Sequence, residues 1–275
     1  ILLSLALVPL GVIAFEQTRR LEVELERVRD LNFHAITAEV ARREAAAAEQ
    51  TLGAARALAA TMPTLARDTE SCRDTVRSVV ERSDSLFSFA GFLPRDGMMR
   101  CISAGESYDF SGNAELERGL QNPRVFATSS QEGALSKAPV ISVHYPVFDD
   151  GGQMLGYVSV SIAARDIDLP GDVTQNDIAL AVVDETGEPL GSIGPIEEAS
   201  ALMPADFDPG DLSQSGRGTF TAEDGEGRRR DYAVEPIIDG VAYAVGTRPM
   251  PAEAAGGLLL WPAAYPVLMW LASLV

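Results

Sequence analysis

The chain has 275 residues, with 22 Lys or Arg against 40 Asp or Glu, a formal net charge of −18 at pH 7. A surface this acidic repels a phosphate backbone, so nucleic acid is excluded as a partner. The two histidines, His34 and His144, fall on a helix and on a strand, so neither a three-histidine nor a Cys/His metal centre is expected.

Both ends are apolar. Residues 1–15, ILLSLALVPLGVIAF, carry no charge, and residues 254–275 run uncharged for about the ~20 residues that a bilayer span needs. We expect the end of one transmembrane helix over 1–15 and a second over 253–275. No A-x-A-like cleavage site follows Phe15, which argues against a signal peptide. Residues 16–252 then form one exported loop.

From Glu16 to Thr61 good helix formers dominate, predicting a stalk helix over 16–62 that ends at Met62-Pro63. Leu21, Leu25 and Val28 define an apolar face that resumes, shifted in phase, at Phe33, Ile36 and Val40. A second subunit is expected to cover this face near the membrane, and the chain's own modules farther out. A shorter amphipathic helix is predicted over 72–83, with Val76, Val79 and Val80 inward.

Strand signals follow. FSFAGFLPRDGMMRCISA predicts a hairpin turning at Arg95-Asp96-Gly97, and SGNAELERGL a short helix with Ser111 as N-cap. RVFATSS, APVISVHYPVFD and QMLGYVSVSIAA predict three more strands, the last two joined by DDGG. Cys72 and Cys101 are the only cysteine pair, and an even count in an exported segment predicts a disulfide, with two buried thiols as the alternative.

Residues 168–177 are the expected boundary between a first module, 63–167, and a second, 168–252. IALAVVDETGEPLGSIG repeats the hairpin, IEEASALMP the short helix, and three strands follow with turns at Asp224-Gly225 and Asp239-Gly240. The fold class expected is α+β: a stalk helix and two antiparallel sheets covered by helices. DFDPGD at 206–211 lacks EF-hand spacing and reads as a solvated loop, as does RRRD at 228–231.

APVISVHYPVFDDGGQMLGYVSVSI, with Gly156 after the turn, resembles the last two strands of a Cache domain, the extracytoplasmic PAS-like sensor of bacteria. GFLPRDGMMRC resembles that family's first hairpin and DFSGNAELERGL the loop leading into its helix. A stalk and two such modules between two spans is similar to the double Cache input region of sensor histidine kinases. The segments ILLSLALVPLGVIAFEQT, SFAGFLPRDGMMRC and GYVSVSIAARDI together look most like alphaproteobacterial kinases of the HWE type.

The resemblance implies a small-molecule pocket in the membrane-distal module, placement of 16–252 outside the bacterial inner membrane, and a homodimer through the stalk. Candidate ligand residues are Arg100, Tyr108, Phe110, Ser129, Ser142, His144, Tyr157 and Ser161. Side-chain alternation puts Ser142 with His144, and Ser159 with Ser161, but does not say which pair faces the pocket. Amino-acid-binding members carry an acid where this chain has Ser161, so a neutral or anionic ligand is expected here. Titration of His144 would alternatively make pH the signal.

No nucleophile elbow, P-loop or other catalytic constellation is present in the sequence, and no cofactor is implied. The same input architecture serves chemoreceptors and diguanylate cyclases. The alternative of another class is a ligand-free dimerisation or envelope scaffold.

Overall fold

The computed structural model describes residues 2–105, 107–163, 178–193, 196–204, 207, 209 and 219–250, with the side chains of 2–11, 196 and 197 outside the description. The first helix, α1 (Leu2–Leu65), is continuous over 64 residues, about 95 Å at the α-helical rise. Pro63 does not end it. The ring removes only the hydrogen bond from position 63, and Ala66 N–H still reaches the Met62 carbonyl at 2.9 Å in the closing turn.

Exposure along α1 follows the two phases of its apolar face. Leu21, Leu25 and Val28 are 61%, 52% and 53% exposed, whereas Phe33 and Val40 are 1% and 2%. The change marks where the helix meets the chain's own sheets. No helix among the described residues is long and apolar enough to cross a membrane. The segment expected as a second span, 253–275, lies outside the described residues, as do the side chains of 2–11.

The second helix, α2 (Thr69–Glu81), starts three residues before the expected Cys72 because Asp68 caps it, accepting from the Glu70 and Ser71 amides. Cys72 and Val76 are its buried residues. Cys72 forms a disulfide with Cys101, pinning α2 to the first sheet.

That sheet has the order β3-β1-β7-β6-β5, where β1 is Phe87–Pro94, β3 Cys101–Ile102, β5 Phe126–Ser130, β6 Val140–Phe148 and β7 Met154–Ala163. The expected hairpin is only partly formed. β3 pairs with β1, but β2 (Met98–Met99) turns away to pair with β4 (Tyr108–Asp109). The short helix α3 (Ala114–Gln121) is capped by Asn113, not Ser111. Gly112 sits at φ +79°, outside helical space, and so delays the start by two residues.

The second sheet has the order β10-β11-β12-β8-β9, with β8 Ala179–Asp184, β9 Pro189–Ser192, β10 Thr219–Glu223, β11 Arg229–Ile238 and β12 Ala242–Pro249, and a short α4 (Ile196–Ala201). Counted within each module, both sheets run second, first, fifth, fourth, third strand. The expected boundary 168–177 and most of DFDPGD lie outside the described residues. Arg228 offsets its charge on Asp224 and Glu226, but Arg230 is buried, donating to Thr247, so RRRD is not wholly a solvated turn.

One face of each sheet packs on α1. Ala55, Leu58, Ala59 and Met62 meet Val147, Val158 and Val160 of the first sheet. Val40 and Ala41 meet Ile141 and Ile162 of the first sheet and Leu180, Val182 and Ala244 of the second in one apolar cluster. The helix therefore braces both modules with a shared core, and each sheet's other face is left to serve its own module.

Candidate ligand site

In the first module that other face carries Tyr157, Ser159 and Ser161 of β7 beside Ser142 and His144 of β6. The β6–β7 register sets Ser142 opposite Ser161 and His144 opposite Ser159. The two serine and histidine pairs, separate in sequence, therefore stand side by side on one face. They line a cavity of about 290 Å³, roofed by Phe110, Leu116 and the 132–136 loop. Phe89, Leu93, Met99, Leu116 and Tyr157 form the apolar cluster beside it, with Phe110, Phe126 and Leu135 packed against them.

The polar side is a row of two hydrogen-bonded groups. His144 Nε2 lies 3.1 Å from Thr128 Oγ1 and Nδ1 lies 2.9 Å from Ser159 Oγ, while Ser142 Oγ lies 2.7 Å from Ser161 Oγ. The Phe126 ring stacks on the imidazole at 4.6 Å. Desolvation pulls His144 down to about 4, so the ring is neutral through the pH range in which it would ordinarily titrate. With a value of about 4, His144 would not serve as a pH signal near neutrality.

A neutral imidazole has one N–H and one lone pair, so one of its hydroxyl partners donates to it and the other accepts. The accepting hydroxyl keeps its own proton free, as does the accepting member of the Ser142–Ser161 pair. The row thus offers donors and acceptors and no charge.

Six of the eight candidate residues line the cavity: Phe110, Ser129, Ser142, His144, Tyr157 and Ser161. Tyr157 donates to the Gly119 carbonyl at 2.8 Å, tying β7 to α3, and burial pushes its phenol up. Two candidates do not line it. Arg100 is exposed and turns to Asp96 at 3.3 Å, because β2 and β3 leave it between two pairings. Tyr108 packs behind Phe110, ring to ring at 4.6 Å. Phe126 and Thr128 were not among the candidates, and Ser159 was paired with Ser161 by alternation without being offered as a ligand residue; only the register brings β5, β6 and β7 to one face.

The second module fills the same face. Pro146 pairs with Tyr157 and Pro236 with Tyr243, which aligns the sheets. Counting from there, Tyr232 and Val234 stand for Ser142 and His144, Val245 and Thr247 for Ser159 and Ser161, and Phe220 for Thr128. Phe220 stacks between Tyr232 at 5.1 Å and Phe207 at 5.8 Å. Tyr232, Val234, Val245 and Thr247 are all buried.

A wider cleft of about 730 Å³ lies between the modules, lined among others by Arg118, Arg124, Glu185 and Asp239. It shares Glu115, Phe126, Thr128 and Ser129 with the inner cavity. Among the described residues no group of His, Cys, Asp and Glu is arranged to hold a metal.

No protein-family model and no curated protein sequence matches the chain. Solved structures do. The extracellular domain of rpHK1S-Z16, a protein classed as a histidine kinase, superposes with a TM-score of 0.65 at 12% identity, covering 85% of this chain and 99% of that one. The corresponding domain of soHK1S-Z6 gives 0.57 at 12%, covering 83% and 96%. The ligand-binding domain of the Campylobacter jejuni chemoreceptor Tlp3, solved with L-norvaline, gives 0.52 at 14%, covering 83% and 97%. At these identities the likeness is one of fold: this chain has the fold of the extracellular sensory domains of membrane receptors.

Proposed function

We propose that this chain is the extracytoplasmic sensory region of a transmembrane receptor of the bacterial inner membrane, with 63–167 as its ligand-binding distal module and 168–252 as a proximal module. The observation that carries this reading is the difference between two sheets of one topology. One keeps a cavity lined by hydroxyls and an imidazole, and the other fills that face with stacked aromatic rings.

Residues 1–15 and 253–275 are read as the flanking spans. The exposed Leu21, Leu25 and Val28 face fits a second copy of the chain. The extracellular domains of proteins classed as histidine kinases among the structural neighbours favour a sensor kinase as the whole protein; the sequence resemblance alone supports the HWE type. A chemoreceptor output remains compatible with the same fold, as Tlp3 illustrates. Ligand acts by population shift, favouring one packing of the distal sheet on α1 over another.

The test is a thermal-shift screen of the 275-residue chain in detergent against organic acids, amines, amino acids, sugars and alcohols. A ligand of the folded state raises Tm saturably. At least one compound is expected to do so in the wild type and not in Ser161→Leu, which plugs the cavity. A screen without any such compound favours a ligand-free scaffold.

A further inference from the structure

The charges around the distal cavity are unevenly placed. Among the described residues that line it, the two acidic ones, Glu115 and Glu132, are both exposed at the rim, and Glu132 lies 4.0 Å from Lys137. No Arg or Lys is among the described residues that line it. The inner wall consists of Ser, Thr and neutral His on one side and Phe, Leu, Met and Tyr on the other. Arg100, the cation that the sequence offered for an anionic ligand, points to Asp96 outside.

An ion moved into such a space loses its hydration and meets no cation on the described wall; Arg118 and Arg124 line the adjoining cleft instead, where Arg124 acts on the Tyr157 hydroxyl. A neutral hydroxyl or carbonyl group loses far less, because the Thr128–His144–Ser159 triplet and the Ser142–Ser161 pair each keep a free donor and spare acceptor lone pairs. The Phe126 and Phe89 rings and the Leu93 and Met99 side chains meanwhile demand an apolar face.

We propose that the distal cavity selects an uncharged small molecule with one apolar face and one or two hydroxyl or carbonyl oxygens, and rejects carboxylates, ammonium ions and zwitterionic amino acids. This rests on the reading of the cavity as a ligand site. It sets this chain apart from the Tlp3 domain, which shares its fold and was solved with L-norvaline, L-valine and isoleucine.

The test uses a matched series on one apolar body: benzyl alcohol, benzylamine and benzoate, with L-norvaline added. Binding to the 275-residue chain in detergent is measured by ligand-observed NMR titration, in the wild type and in Ser161→Leu. Benzyl alcohol is expected to bind the wild type about tenfold or more tightly than any charged member, with that binding lost in Ser161→Leu. A charged member binding as tightly overturns the proposed class while leaving the cavity a ligand site. Binding of no member to the wild type overturns the ligand-site reading itself.

A second measurement needs no ligand. Ser161→Asn and Ser161→Asp introduce side chains of nearly equal size, one neutral and one ionisable. At pH 7.5 the Asp variant is expected to melt roughly 5 °C or more below the Asn variant, because no cation is among the described residues that line the cavity. Equal melting temperatures would show that the cavity accommodates an anion, and would overturn the proposal.

Discussion

Arg248, near the end of β12, forms an ion pair with Asp30 of α1, 218 residues earlier in the chain. The same guanidinium reaches Asp231 of β11 at 3.1 Å and lies 5.0 Å over the Phe33 ring. Burial alone would lower its pKa, but the two carboxylates outweigh that and hold it above the usual arginine value. β12 is thus fastened to the stalk helix at the place where Phe33 becomes buried.

Replacing Arg248 by Met should therefore cost about 1–2 kcal/mol, a range kept low because Asp30 is half exposed. Arg248→Lys should recover only part of the loss, since an ammonium neither bridges two carboxylates in a plane nor stacks on Phe33 in the same way. Urea unfolding of the three proteins checks both expectations; full rescue by lysine would mean that charge alone matters.

Among the described residues, two hydrogen bonds cross from β5 and the residue after it to the proximal module. Ser129 donates to Glu185 at 2.9 Å, and Gln131 donates to Asp184 at 3.3 Å. Asp184 is itself held by the amides of Thr186 and Glu188, a rigid anchor. Because β5 also carries Thr128, the partner of His144, this edge joins the cavity to the second sheet. The double variant Ser129→Ala, Gln131→Ala should raise amide hydrogen exchange in β5 and in the 184–188 turn severalfold, while β7 exchange stays unchanged. Uniform acceleration would indicate general destabilisation instead.

His144 gives stability a pH dependence of known sign. Its folded value of about 4 lies below the ordinary 6.5, so the unfolded chain takes up the proton first. Stability from this group is complete above pH 6.5 and is lost as pH falls towards 4, by up to about 3 kcal/mol. Carboxylates titrate in part of the same window, so the quantity to measure is the difference between wild type and His144→Asn. That difference should shrink as the pH falls from 7 to 4.5; a constant difference would contradict a neutral imidazole in the folded protein.

Gly156 on β7 stands at φ +152°, and a Cβ there would lie 2.2 Å from the Leu93 carbonyl oxygen of the neighbouring strand. Gly156→Ala should destabilise by about 2–3 kcal/mol through close approach and backbone strain together. Thermal unfolding at neutral pH measures it, and a loss under about 0.5 kcal/mol, the scale of an ordinary surface substitution, would show that β1 and β7 can part there.

The Cys72–Cys101 disulfide closes a 29-residue separation, for which chain entropy gives about 3–4 kcal/mol. Reduction, or Cys72→Ala with Cys101→Ala, should lower Tm by several degrees. The cavity should persist, since Cys72 and Cys101 pack in the helix-side cluster on the opposite face of the sheet.

Much of this fold was legible because strands and turns carry local signals. The Asp-Gly turns, the alternation in β6 and β7 and the repeat of one strand order in both modules all lie within short windows. Pro63 and Ser111 misled for local reasons, the first falling in a closing turn and the second preceding a glycine with positive φ. The site was harder to read. Ser142 with His144, and Ser159 with Ser161, could be paired within each strand, but only the register between strands brings the four together. Arg100 looked like a ligand residue because its sequence position says nothing of the pairing switch from β2 to β3 that turns it outward.

The central claim is that the distal cavity senses and the filled proximal face does not. It is tested most directly by titrating the 275-residue chain with benzyl alcohol in three forms: wild type, Ser161→Leu in the distal cavity, and Phe220→Leu in the proximal aromatic stack. The account predicts a saturable rise in Tm in the wild type and in Phe220→Leu, and none in Ser161→Leu. A rise that survives in Ser161→Leu but disappears in Phe220→Leu would place binding in the other module and contradict it.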